Sequence, residues 1–385
     1  MKENLLFNTP PEYENVGRLL SENGEHLRVV VTIPAKNEEL TIWNTLNALA
    51  HQQTKAGNLP TNLYEILILC NHCTDQTVNL CAEFQDKHPD LPLYIFKTDD
   101  PKINSVGASR KLLMDLASAR LPENGFIAMT DADTVCDNYW LDAFLKLQEQ
   151  PYDLICGVIK PELTGLDKRV KDGIDQTRHY LDLVSRLESE LYPLEFDPWP
   201  RHSHNSGPNM AVRNKVYKAI GGIPPLDCFE DIALYQKVIS EGYSVKHAFS
   251  PIVTTSCRSK SRVPGGFGSQ IRNWSRSKSE TVEGFSKLSQ RFKAFAEIRE
   301  YYRNPSLRLF NSICSRLYIS SKDLEDLIEK HQKHTALIIY LENNLKEHGP
   351  WNIAYPDVII TRAIDELKNY FASFSQTTKS YSSSR

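Results

Sequence analysis

Short apolar runs alternate with stretches of helical spacing through the first 160 residues. Arg28–Ile33 is continuous and β-branched, as expected of a strand buried on both faces of a parallel sheet. Tyr64–Cys70, Leu93–Lys97, Gly125–Thr130 and Leu154–Ile159 repeat the pattern. Between them, Pro34-Ala-Lys-Asn-Glu-Glu39 is expected to open a helix with acids in its first turn and apolar positions at Leu40, Trp43, Leu46 and Leu49. Further helices are predicted over Thr77–Lys87 and Gly107–Ala117. Strands alternating with helices predict right-handed βαβ units in an α/β fold with a mostly parallel sheet, where ligands bind beyond the carboxyl ends of the strands.

The second half is less regular. Asp167–Leu191 has helical spacing, Met210–Val212 reads as a short strand, and Lys215–Ala219 as a helical turn. A helix over Glu230–Glu241 buries Ile232, Leu234, Tyr235 and Val238, and two strands follow at Ser244–Ala248 and Ile252–Thr255. Residues 276–370 are patterned as helices, while the Ser/Thr-rich end predicts disorder. The chain thus divides into an amino-terminal arm (1–27), an α/β domain (28–275, with halves 28–135 and 136–275), a C-terminal helical extension (276–370) and a tail (371–385). The apolar face of the extension suits a core or a homodimer contact, and leaves peripheral membrane contact open.

Composition removes several classes. A net charge of −3, from 45 basic and 48 acidic residues, gives no electrostatic case for nucleic acid. No apolar run approaches the roughly 20 residues of a membrane span, and Met1–Pro10 shows no signal-peptide pattern. Eight scattered cysteines suit reduced thiols and a cytoplasmic location. Cys70 and Cys73 have redox or zinc spacing, but no second pair accompanies them.

Candidate chemistry collects on three loops at one expected sheet edge: 34–39, 71–75 and 131–133. Side chains two apart on an extended segment point the same way, so Asp131 and Asp133 can converge on one hard cation, Mg²⁺ or Mn²⁺, with positions left for diphosphate oxygens. An ordinary turn is the plainer alternative. No loop has a Gly-x-Gly-x-x-Gly or Gly-x-x-x-x-Gly-Lys pattern, so a carboxylate-held metal is left to manage phosphate charge. The Pro-aromatic loop Asp197–Asn209 carries Trp199, Arg201, His202 and His204, and serves either as packed surface or as an acceptor wall. Glu230 and Asp231, in a first helical turn, are either dipole partners or a rigidly held proton acceptor. Arg258, Lys260 and Arg262 on a glycine-hinged loop suit a lid over a diphosphate, or a solvated basic loop.

Seven segments in order then carry a family resemblance: Ile33-Pro34-Ala-Lys-Asn37-Glu38-Glu39, Cys70-Asn71-His-Cys-Thr74-Asp75-Gln-Thr77, Gly107-Ala-Ser-Arg110, Asp131-Ala-Asp133, Asn209-Met-Ala-Val-Arg213, Gly221-Gly222 and Glu230-Asp231. Together they resemble a family-2 glycosyltransferase of the GT-A fold, Rossmann-like with helices flanking the sheet, over roughly residues 28–275. The resemblance implies a UDP- or GDP-sugar donor and Mn²⁺ or Mg²⁺ held at Asp131 and Asp133. It gathers Pro34, Asn37, Glu38, Asn71, Asp75, Arg110 and Ala132 with those aspartates around the nucleotide sugar. Asn71 stands where the family usually has an aspartate facing the base. Asp231 matches the proposed base of inverting members, and Glu230 would orient an unknown acceptor alongside Trp199, His204 and Asn209.

A single displacement with inversion follows by similarity, although related GT-A enzymes retain configuration. Gln270-Ile-Arg272-Asn-Trp274 is close to the Gln-x-x-Arg-Trp of processive polysaccharide synthases, but its arginine is one place early. Without membrane spans, processive synthesis is not expected. Two other classes stay open. A sugar nucleotidyltransferase would normally carry a glycine-rich loop where this chain has Pro34–Glu39, and a non-catalytic nucleotide-sugar binder would not turn over.

Overall fold

A computed structural model describes residues 13–20, 26–257, 267–275 and 280–382. Arg258, Lys260 and Arg262, expected on a lid, lie outside the described residues. The central sheet has nine strands: β1 (Glu14–Val16), β2 (Val29–Ala35), β3 (Tyr64–Asn71), β4 (Leu93–Thr98), β5 (Phe126–Met129), β6 (Thr134–Cys136), β7 (Leu154–Pro161), β8 (Met210–Arg213) and β9 (Val245–Thr255). Their spatial order is β1-β4-β3-β2-β5-β8-β7-β9-β6. β4, β3, β2 and β5 run parallel, as do β7 and β9. β8 is antiparallel between β5 and β7, and β1 and β6 are antiparallel edges.

Alternation along the strands divides the core into two layers. Val29, Val31 and Ile33 join Ile66, Ile68 and Cys70 on one face. There they meet α1 (Ile42–Ala50), α2 (Thr77–Lys87) and α4 (Trp140–Gln148). Val30, Leu67 and Leu69 face the other way, toward α3 (Val106–Arg120), α6 (Asn214–Ala219) and α7 (Glu230–Ser240). Runs buried on both faces are continuous in sequence for this reason.

A third apolar cluster lies in the carboxyl-terminal helices. Buried residues of α9 (Phe285–Arg303), α10 (Leu307–Leu317), α11 (Ser321–Lys330), α12 (His334–Asn344), α13 (Gly349–Ala354) and α14 (Ile360–Ser382) pack with Tyr180 and Leu187 of α5 (Lys168–Leu191). At its other end α5 offers Val170 and Ile174 to a small cluster with Cys257 and with Ile271 and Trp274 of α8 (Phe267–Ser275). α12 is tied to α7 by an ion pair, Lys333 to Glu241 at 2.6 Å. Thr335 Oγ1 also donates to the Ser240 carbonyl at 3.0 Å, and Gln236 and Asn343 exchange amide bonds at 2.9 and 3.2 Å. The extension thereby backs the helix whose first residues are Glu230 and Asp231. No helix among the described residues is long and apolar enough to cross a membrane.

Four expectations need correction. The first helix starts at Ile42, not at Pro34, and has no acids in its first turn; Leu40 is 86% exposed. Pro34 instead continues β2, opposite Leu69. The Thr32 carbonyl, two residues earlier, faces β5, and pairing with β5 ends there, so the missing Pro34 N–H leaves no ladder bond broken. Part of the expected amino-terminal arm is an edge strand, Glu14–Val16 against Ile95–Lys97. The two short strands after α7 are one strand, β9, with a register shift between His247 and Ile252. Finally, α14 runs to Ser382, past residue 371 where composition suggested disorder, and Phe371 is buried.

Candidate functional site

The carboxyl ends of β2, β3 and β5 open onto a cavity of about 1210 Å³. Pro34 to Glu38, Asn71 and Asp131 to Asp133 line it, so the three expected loops do converge. The first two loops are stapled together. Asn37, with φ 54°, accepts the Thr74 N–H at 2.8 Å, and the Glu38 N–H donates to Thr77 Oγ1 at 2.7 Å. Asp75 accepts from the backbone N–H groups of Thr77 at 3.0 Å and Glu39 at 3.1 Å. Burial alone would raise the Asp75 pKa, but its hydrogen bonds from Thr77 and Glu39 outweigh that and lower it.

α3 meets the cavity through its first two turns. Ser105 caps the helix by accepting the Ala108 N–H, and Ser109 donates its hydroxyl hydrogen to the Ser105 carbonyl at 2.9 Å. That hydroxyl can then only accept from Asn71, 2.7 Å away, which fixes the amide with Nδ2 toward Ser109. Asn71 Oδ1 is left buried without a hydrogen-bond partner among the described residues, in a residue lining the cavity.

One turn on, Arg110 is almost wholly buried at 3% exposure. Its Nε donates to Glu230 Oε1 at 2.8 Å and its Nη2 to Asp131 Oδ1, while Nη1 has no partner among the described residues. Gly207 permits this approach, since a Cβ there would stand 2.4 Å from Arg110 Nη2. Burial would lower the arginine pKa, but Asp131, Glu230 and Asp231 together raise it. Burial raises the Asp131 and Glu230 pKa values in turn, and Arg110 opposes both shifts. Neighbouring acids add to the rise: Asp133 and Asp231 on Asp131, and Asp231 on Glu230. Three acids, Asp131, Glu230 and Asp231, therefore share one buried arginine.

The first turn of α7 fixes Asp231 by backbone donors. The Gly207 N–H reaches Oδ2 at 2.6 Å and the Ile232 N–H reaches Oδ1 at 2.7 Å. His204, on the same wall, accepts the Ile159 N–H through Nδ1 at 3.0 Å, which makes Nε2 the protonated nitrogen of the neutral ring. Burial and the neighbouring His202 and Arg178 hold its pKa down at about 3.

Three residues expected at the ligand lie elsewhere. Asp75 does not line the cavity and acts as the loop staple described above. Asn209 is fully buried: its Nδ2 donates to the Val158 and Pro251 carbonyls at 2.9 and 3.0 Å, and its Oδ1 accepts the Trp140 indole N–H at 2.8 Å. It locks β7 to β9. Trp199 is 45% exposed on the surface, off the cavity.

Other lining residues were not anticipated. Ser105 carries no motif of its own, and Ser109 lies inside the Gly107–Arg110 segment without a role assigned to it there. Gln270 and Trp274 bring α8 to the rim, where the imperfect Gln-Trp pattern was a usable signal. Phe229, immediately before the acid pair, lines the cavity at 52% exposure with φ 61°. A bulky residue in that left-handed region costs roughly 1–2 kcal/mol, and nothing in the sequence marks it.

Among the described residues no group of three or more His, Cys, Asp and Glu side chains is placed to hold a metal ion by itself. A hard cation that keeps positions for phosphate oxygens needs only one or two carboxylates. Asp131 and Asp133 supply such oxygens beside further acids whose mutual repulsion a cation would relieve, so the donor set fits Mn²⁺ or Mg²⁺.

A curated relative, the probable glycosyltransferase YdaM of Bacillus subtilis (strain 168), is 25% identical over 240 residues. The match takes in 61% of this chain and 51% of YdaM, so the chain spans about half the length of that relative. Among solved structures, S. aureus TarS 1–349 in complex with UDP-GlcNAc is 16% identical, with 83% of this chain and 92% of that one covered at a TM-score of 0.42. The mannosyltransferase PcManGT from Pyrobaculum calidifontis, in complex with GDP-Man and Mn²⁺, is 15% identical, with 90% and 87% covered and a TM-score of 0.44. Residues 30–221 match the family model described as Glycosyl transferase family 2. Through that segment, about half of its length, the chain belongs to glycosyl transferase family 2.

Proposed function

We propose that this protein transfers a sugar from a nucleoside-diphosphate sugar to an acceptor hydroxyl by a single inverting displacement. The observation that carries the proposal is a pair of buried polar atoms, without partners among the described residues, in one acid-rich cavity: the acceptor Asn71 Oδ1 and the donor Arg110 Nη1. Each is costly to leave unmade, by about 1–3 kcal/mol, so a bound polar ligand is the natural partner.

Asn71 reads the base. With Nδ2 clamped by Ser109, the Asn71 oxygen is the atom left to accept a ring N–H, present in uracil and guanine and absent from the corresponding positions of cytosine and adenine. A UDP- or GDP-sugar is therefore the expected donor. The amino terminus of α3, with Ser105 and Ser109 at the cavity, adds a favourable dipole for the diphosphate. Asp131 and Asp133 would hold Mn²⁺ or Mg²⁺, which when bound neutralises charge on the departing diphosphate.

Asp231 takes the acceptor proton. Its two oxygens are aimed by the Gly207 and Ile232 N–H groups and keep lone pairs free for the hydroxyl. As the acceptor oxygen bonds to the anomeric carbon, the bond from that carbon to the diphosphate oxygen breaks and its electron pair leaves with the nucleotide. Glu230, held by Arg110, keeps the first turn of α7 in place beside the donor pocket. Arg110 thereby links the carboxylate of the donor side to that of the acceptor side.

The test is Asp231→Asn assayed for sugar transfer with the anomeric configuration of the product read by NMR. The expected result is an inverted product from the wild type and a rate lower by about 10²–10⁴-fold in the variant. Retention of configuration, or an undiminished rate, contradicts the proposal.

A further inference from the structure

Resting on the transfer reaction proposed above, we propose that Phe229 is the stacking platform for a pyranose ring of the acceptor, so that the acceptor is a glycoside. The aromatic ring is placed against the pattern of its own backbone. Phe229 sits at φ 61° and ψ 23°, a region that bulky side chains avoid, and it is exposed instead of buried. Its carbonyl accepts the Ala233 N–H at 2.9 Å, which ties it to the first turn of α7. The preceding loop is wedged against α3, where a Cβ on Gly107 would stand 1.9 Å from the Leu226 carbonyl oxygen. The local fold thus fixes a strained conformation whose visible product is an aromatic side chain at the cavity mouth.

Its surroundings suit a sugar better than a lipid tail. Leu181, Pro208 and Ile232 supply small apolar patches along the same cavity, but His204 and Asn205 stand among them. His204, locked with Nε2 protonated, is a hydrogen-bond donor at all physiological pH values. An aromatic plane beside interspersed polar groups matches a pyranose, which has one face of C–H bonds and a rim of hydroxyls. Phe229 and Asp231 line the same cavity, so a ring seated on Phe229 shares that cavity with the proposed base.

The experiment is saturation-transfer NMR on the full chain with Mg²⁺ and UDP or GDP. Methyl β-glucoside, methyl β-galactoside and methyl α-mannoside are the probes, and sorbitol is the acyclic control. Irradiation of aromatic protons is expected to label the C–H face of at least one glycoside and not sorbitol. Phe229→Ala and Phe229→Gly should reduce that transfer about fivefold to tenfold, as loss of one aromatic contact predicts. Phe229→Gly should melt no lower than wild type, since glycine accepts the left-handed backbone. Leu307→Ala, exposed on α10, should transfer as wild type does. The platform is overturned if no glycoside is labelled, if sorbitol is labelled equally, or if both Phe229 variants keep full transfer. Stabilisation of the same wild-type protein by UDP or GDP separates the cases: nucleotide binding without glycoside labelling rejects the platform alone, and absence of both rejects the underlying donor site.

Discussion

Arg110 Nε lies 2.8 Å from Glu230 Oε1 and joins the second turn of α3 to the first residue of α7 in the wall of the cavity. The same guanidinium holds Asp131, so the two helices and the carboxyl end of β5 meet in one buried ion cluster.

Removing the arginine should cost stability and binding together. Arg110→Met leaves Glu230 buried, and Asp131 partly buried, without their cation, a change expected to destabilise by about 3 kcal/mol. Urea unfolding would measure it. Arg110→Lys, a point charge that cannot fork to two acids, should recover only part of the loss. An Arg110→Met variant as stable as wild type would show that the cluster holds nothing together.

Asn71 offers a specificity test. Asn71→Leu removes both the clamp to Ser109 and the acceptor oxygen, and should weaken uridine or guanosine diphosphate binding by about 1–3 kcal/mol in calorimetry. Asn71→Asp keeps an acceptor toward the base, and Ser109 can rotate its hydroxyl to donate to the new carboxylate, so binding should largely survive. Equal binding of cytidine diphosphate by the wild type would contradict the assigned role.

Stability should also depend on pH through Glu342 on α12. Burial raises its carboxyl pKa from the ordinary 4.5 to about 7, with Arg291 opposing and Glu188 and Glu283 adding to the rise. Between these two values the folded chain keeps a proton that the unfolded chain has lost, so stability falls as pH rises from about 4.5 to 7. Below 4.5 there is no such penalty. Glu342→Gln should therefore be more stable than wild type by about 3 kcal/mol at pH 8 and indistinguishable at pH 4, as read from thermal melts at each pH. A pH-independent difference would contradict the shift.

Much of this was legible in the sequence, for identifiable reasons. Strands such as Val29–Ala35 and Tyr64–Asn71 are buried on both faces, and nothing but a continuous apolar run fits them. Asp131 and Asp133 were legible because a strand delivers them to an edge. Pro34 misled because proline opens helices as readily as it ends a strand whose neighbour has stopped pairing. Asp75 and Asn209 misled because a side chain that binds backbone N–H or carbonyl groups looks, in one dimension, like one that binds a ligand. Phe229 was invisible, since its left-handed backbone belongs to a loop packed, through Leu226, on the sequence-distant Gly107.

The central claim, that Asp131 and Asp133 hold a cation that receives a nucleoside diphosphate, is tested most directly by thermal shift. Wild type and Asp133→Ala are melted with uridine, guanosine, cytidine and adenosine diphosphates, each with and without Mn²⁺. A ligand that binds only the folded state raises its melting temperature by mass action. The predicted result is a rise for wild type with uridine or guanosine diphosphate that requires Mn²⁺ and is absent from Asp133→Ala. A rise of equal size without metal, or in the variant, would contradict it.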